Sequence, residues 1–249
     1  MTSESPRSRF AKRCIHLCAA LLLVAASAAE PREDDVAAEA RRAHATAARI
    51  EMEWPIAPTG PVTRFIQDLG ARLSAAAGES AFPWRFLVLR DRSANAFSIG
   101  AGRIYVNEGT PFVCRNEAEV AAILAHEMGH ELAGHFRSPA AGVPPRDARR
   151  KSGTKDEVIG SVHQRIDPEK ELEADRRSID ILLGAGYDPH AAVSVAELIA
   201  QQAATRGTHW GGTERLESLR ELVAPLPHEG RLDSEAFRRL RQEVQPGVE

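Results

Sequence analysis

The segment from Asn116 to Phe136 constrains this chain more than any other, because it reads as a buried helix carrying two histidines one turn apart. It contains no proline, and Val120, Leu124, Met128 and Leu132 recur at intervals of four, with Ala121, Ile123 and Ala125 widening the apolar surface. Asn116 is a suitable N-cap, Glu117 and Glu119 suit the positive end of the helix dipole, and Glu119 stands where a capping box needs it. His126 and His130, four residues apart, share one helical face and can close on a single metal ion. Glu127 lies beside them, within reach of water at an open metal position, where it can act as general base. H-E-x-x-H on a helix is the layout of a zinc peptidase.

A mononuclear site needs a third protein ligand. Metzincins extend the motif with a glycine three residues and a histidine six residues after the second histidine, but Ala133 and Phe136 stand there. His135 misses by one residue; on a continuing helix it points away from the metal face and reads as solvated or structural. The alternative is a carboxylate from a second helix, offered by Glu171-Leu172-Glu173-Ala174-Asp175. Glu171 and Asp175 share a face, so one can bind the metal while the other orients a liganding histidine; Glu173 is half a turn away. Asp167-Pro168 begins that helix, and its acidic residues also suit the helix dipole.

With H-E-M-G-H followed by E-L-E-A-D, the chain resembles the M48 peptidases, a gluzincin family that includes the CAAX prenyl proteases, HtpX-like enzymes and soluble periplasmic members. Asn95-Ala96-Phe97-Ser98-Ile99-Gly100-Ala101-Gly102-Arg103-Ile104-Tyr105-Val106 is similar to the family's N-A-F-x-x-x-G-x-I-x-V ribbon before the zinc helix. His209 and Arg215 match, in type and spacing, a histidine and an arginine found near the family's active site. The chain departs from the pattern at His209-Trp210-Gly211-Gly212, where the family usually has prolines after the histidine. The resemblance spans roughly Phe82 to Leu222. It implies an α+β fold: a mostly helical zincin-like domain with a small sheet or ribbon before the H-E-x-x-H helix.

The same resemblance implies one Zn2+ per chain, held by His126, His130 and Glu171, with Asp175 behind a liganding histidine. Glu127 would be general base on zinc-bound water, with His209 and Arg215 stabilising the oxyanion. Polypeptide substrate would lie extended along Asn95, Ala96, Phe97 and Ser98 as an added strand. The implied activity is endoproteolysis of unfolded or misassembled cell-envelope proteins. The competing reading from another class is a zinc-stabilised periplasmic chaperone or adaptor, against which Glu127 argues, since a pure binder has no use for it.

The N-terminus carries Arg7, Arg9, Lys12 and Arg13, then an apolar run from Cys14 to Ala26 and small residues at Ser27, Ala28 and Ala29. That pattern is a secretory signal peptide over 1–29, leaving residues 30–249 as one domain with its core over about 60–225. A periplasmic or secreted location follows; an uncleaved anchor is the alternative, and association with the membrane surface or an envelope complex is compatible with either. Cys14 and Cys18 would leave with the leader, so Cys114 can make no intrachain disulfide and is read as a packing residue. Loss of the leader carries the net charge from −3 to about −6, which argues against nucleic acid as a partner.

Periodicity places helices near 35–51, 62–77, 168–183, 189–204, 213–223 and 234–243, and strands near 84–89, 96–99 and 103–106. The polar, proline-bearing stretch 137–166 reads as a long loop beside the site. No internal repeat is detectable.

Overall fold

A computed structural model describes residues 33–137, 168–206 and 213–244. The expected leader, most of the long loop and His209 therefore lie outside the described residues.

Three strands form a mixed sheet: β1 (Arg85–Leu89), β2 (Ala96–Ser98) and β3 (Arg103–Asn107), in the order β1-β3-β2. β1 runs parallel to β3 with Phe86 opposite Ile104, and β2 runs antiparallel to β3 with Phe97 opposite Tyr105. β2 is thus an edge strand. Alternation of side chains sorts the sheet into two faces. Leu89, Phe97 and Tyr105 pack with Ala47 and Ile50 of the first helix, α1 (Glu33–Glu53), and with Trp54 just after it, and Phe97 stacks on Tyr105 at 5.4 Å.

Phe86, Val88, Ile104 and Val106 point the other way, into the main core with α2 (Pro61–Ala76) and the helix that carries the histidines. Gly70 of α2 lies against the Phe86 ring, where an added Cβ would meet it at 2.3 Å. A single turn, α3 (Thr110–Val113), follows the sheet, and Cys114 is buried next to it with its thiol pushed up to about 12 by burial. The expectation of a packing cysteine holds, as a thiol so buried is a poor nucleophile.

The central helix is α4 (Glu117–Leu132), buried on nearly every face. Asn116 caps it by accepting from Glu119 N–H at 3.0 Å, but the Glu119 carboxylate takes Arg115 N–H, at 2.7 Å, one residue before the place a capping box predicts. Glu117, read as a dipole partner, is also buried, where it bonds Arg72 at 2.8 Å and accepts from Tyr187 and Ser234. Then come α5 (Pro168–Gly184), α6 (Ala191–Arg206), α7 (Thr213–Val223) and α8 (Glu235–Glu243). α8 returns to α2, with Phe237 set against Phe65 at 5.6 Å. Among the described residues, no helix is long and apolar enough to cross a membrane.

Candidate metal centre

The site exists because α4 and α5 pack unusually closely. A Cβ at Gly129 would lie 2.5 Å from the Ala174 carbonyl oxygen and 3.0 Å from its Cα, so this crossing tolerates no side chain. Gly129 falls between the two motif histidines and Ala174 between Glu171 and Asp175, so the contact sets all four side chains against one another.

His126 Nε2 and His130 Nε2 lie 3.0 Å apart, and Glu171 oxygens lie 3.4 Å from each. Ligand atoms at about 2.05 Å around a tetrahedral zinc are separated by roughly 3.3 Å, so these spacings fit one ion. Both carboxylate oxygens of Glu171 are buried without a hydrogen bond of proper geometry. Such atoms are costly unless a cation takes them. Arg215 supplies part of that charge, its Nη1 standing 3.0 Å from Glu171 Oε2. The donor set, two imidazoles and one carboxylate, suits zinc.

Each histidine is held from behind. Asp175 Oδ1 accepts from His126 Nδ1 at 2.8 Å, which leaves Nε2 turned toward His130 and Glu171. Arg215, from α7, grips the same carboxylate with two bonds, Nε to Oδ2 at 2.8 Å and Nη2 to Oδ1 at 2.7 Å. Burial pushes the Asp175 carboxyl up, but the Arg215 bonds and the His126 charge outweigh it and hold it well below the usual range. Burial and the Arg215 charge pull His126 down; Asp175 and Glu171 prevail and raise it to about 9. Glu171 is likewise lowered against its burial by His126 and Arg215.

His130 leans on His135, their Nδ1 atoms 2.8 Å apart, and His135 Nε2 stands 3.4 Å from Glu173. This corrects the expected direction of His135. α4 ends at Leu132 rather than near Phe136, and Gly134, at φ +69°, turns the chain so that His135 N–H bonds the His130 carbonyl at 3.1 Å. His135 is therefore buried beside the site rather than swung away from it.

The Glu127 carboxylate accepts from Ser98 N–H at 2.9 Å, a bond from the edge strand to the helix. One turn on, Glu131 takes Gly100 N–H at 2.9 Å and Gly102 N–H at 3.0 Å, and Glu39 of α1 takes Ala101 N–H at 2.9 Å. Three successive residues with positive φ, at 93°, 54° and 70°, turn these amides toward the two carboxylates. Burial, offset in part by Gly102 N–H and reinforced by Glu39 and Glu127, pushes Glu131 up to about 8. α1 also reaches the turn after α4, where Arg42 donates to the Phe136 and Arg137 carbonyls at 2.9 and 2.7 Å.

Residues 62–143 match the family model for Peptidase family M48. Over these residues the chain is similar to the M48 peptidases. Over 168 residues it is 26% identical to the beta-barrel assembly-enhancing protease of Escherichia coli strain K12, covering 57% of this chain and 33% of that one. It is 37% identical over 75 residues to the mitochondrial metalloendopeptidase OMA1 of Schizosaccharomyces pombe, covering 30% of this chain and 22% of that one. Metalloprotease YcaL of Escherichia coli is 26% identical over 175 residues, covering 62% of this chain and 68% of its own length. The chain thus spans about a third or less of the first two relatives.

The fold brings His126, Glu127, His130, Glu171, Asp175 and Arg215 together, and sets Ala96 to Ser98 at the sheet edge beside Glu127. Phe97 is turned away from that edge, paired with Tyr105 of β3 and with its ring buried under α1. Asn95 is tied back, its carbonyl accepting from Asn107 N–H at 2.8 Å and from the Thr110 hydroxyl at 2.7 Å. Sequence reasoning missed Glu39, Arg42 and Glu131, and misplaced His135. The glutamate directly after H-E-M-G-H was a visible signal for Glu131; nothing local marks Glu39 or Arg42.

Proposed function

We propose that this protein is a zinc-dependent endopeptidase acting on unfolded or misassembled polypeptides of the bacterial cell envelope, in the periplasm. The observation that supports the reading best is the Glu127 carboxylate, fixed by Ser98 N–H next to a donor set whose Glu171 oxygens lack hydrogen-bond partners. His126, His130 and Glu171 would hold the zinc, which when bound supplies Lewis-acid polarisation and a more acidic water. Asp175 keeps the proton on His126 Nδ1 and so keeps Nε2 available. Glu127 takes a proton from the attacking water and returns it to the leaving amine. Arg215 holds Asp175 and Glu171 and adds positive charge beside the developing oxyanion, together with His209.

Substrate would add a strand at the β2 edge. Asn95 and Ile99 bond toward β3, so by alternation the Ala96 and Ser98 backbone groups face outward. Ser98 N–H is taken by Glu127, which leaves the Ala96 amide and carbonyl and the Ser98 carbonyl for an extended chain. Recognition through backbone favours unfolded segments over particular side chains. The curated relatives named for β-barrel assembly support an envelope client. Zinc-loaded protein should cut a urea-released outer-membrane β-barrel protein while sparing the same protein folded in detergent; equal cutting of both forms would contradict the client class.

A further inference from the structure

A second convergence of metal-ligating side chains stands apart from the first. Asp188 and His190 flank Pro189 just before α6, and His228 lies on the connection between α7 and α8. Asp188 Oδ1 is 2.9 Å from His190 Nδ1, and Asp188 Oδ2 is 3.9 Å from His228 Nδ1. One donor atom from each residue lies within 4.8 Å of the other two. The two imidazole rings stack with centroids 3.4 Å apart and planes 19° apart.

The backbone holds these groups together. Arg231 N–H bonds the Gly186 carbonyl at 2.8 Å, and Asp188 N–H reaches the Arg231 carbonyl at 3.3 Å. Gly230, at φ +132°, presses so close to the turn that a Cβ would stand 2.5 Å from Asp188 N. Asp188 and His190 are largely buried, whereas His228 is exposed and can adjust its approach. Capping of the first turn explains part of the cluster, since Asp188 accepts from His190 N–H at 2.9 Å. It does not explain why His228, 38 positions further along the chain, meets the same carboxylate.

We propose that Asp188, His190 and His228 form a second metal site, for zinc or a similar borderline transition ion, that staples the α7–α8 connection to the turn before α6. Two imidazole nitrogens and one carboxylate oxygen suit such an ion and do not suit calcium or magnesium, which prefer oxygen throughout. The three donor atoms lie within 4.8 Å of one another, a looser set than the 3.0 to 3.4 Å of the first centre, so His228 would close in on binding. Water would complete the shell on the exposed His228 side, making this the weaker and more exchangeable site. Its consequence reaches further than its own loop, because α7 carries Arg215 and the ion would brace the end of that helix.

Zinc bound per chain after dialysis against excess zinc tests this directly. The full-length wild type should take a second equivalent, and His228→Ala and His190→Ala should each lose that equivalent while keeping the first. His126→Ala should do the reverse. Zinc should still raise the melting temperature of His126→Ala, but not that of His126→Ala combined with His228→Ala. A single equivalent in the wild type overturns the proposal, and so does a second equivalent that survives in His228→Ala, which would mark adventitious binding. The result is independent of peptidase activity.

Discussion

Glu171 and Asp175 look alike in sequence, and their surroundings separate them. Asp175 already has three polar contacts, one from His126 and two from Arg215, whereas the Glu171 oxygens lack hydrogen-bond partners. Glu171→Ala should therefore strip the protein of most of its zinc. Asp175→Ala should weaken zinc by about 10- to 100-fold, as removal of a carboxylate behind a liganding histidine does. His135→Ala should fall in the same range, because His130 loses its partner, while Glu173→Ala, whose contact with His135 is long and half exposed, should bind nearly normally. Zinc affinity measured by competition with a chromophoric chelator ranks all four. A normal Glu171→Ala beside a zinc-free Glu173→Ala would reverse the assignment.

At the scale of elements, the contact of Gly129 with Ala174 should be the least tolerant point of the helix pair. Gly129→Ala forces a Cβ into backbone 2.5 Å away and should cost about 1 to 3 kcal/mol while opening the ligand cage. Melting temperature and zinc content should fall together; loss of one without the other would mean that packing and metal geometry are separable.

Glu131 gives a pH dependence with a definite sign. Its carboxyl is raised from 4.5 to about 8, so between those values the folded protein holds a proton that the unfolded chain releases. The stability it contributes is fully present below about pH 4.5 and is lost as pH rises through about 8. Zinc-saturated wild type should lose melting temperature over that window relative to Glu131→Gln, which cannot titrate. Parallel curves would show that Glu131 keeps one protonation state throughout.

The helices and strands were legible along most of the chain, because each amphipathic period matched a surface that the fold buries. α4 was misjudged at its end, since a turn made by Gly134 is a backbone event that apolar periodicity does not report. The parallel pairing of β1 with β3, and the reach of Glu39 and Arg42 from α1 to the ribbon and the α4 turn, join residues far apart in sequence and carry no local signature. The candidate ligands were legible because the i, i+4 spacing brings side chains together on any helix. Their supports were less so: the His135 bond to His130 needs the turn, and the Arg215 grip on Asp175 needs α7 docked on α5.

For the whole molecule the central claim is that these elements cooperate to cut peptide bonds, with Glu127 moving the proton. Its most direct test compares zinc-loaded wild type and Glu127→Gln on unfolded casein, each with zinc content measured in the same sample. The wild type should cleave, stop on chelation and recover with added zinc. Glu127→Gln should keep its zinc and its fold yet lose a factor of roughly 10² to 10⁴ in rate. Zinc-loaded wild type that leaves casein intact, or a zinc-loaded Glu127→Gln that cleaves at the wild-type rate, would contradict the account.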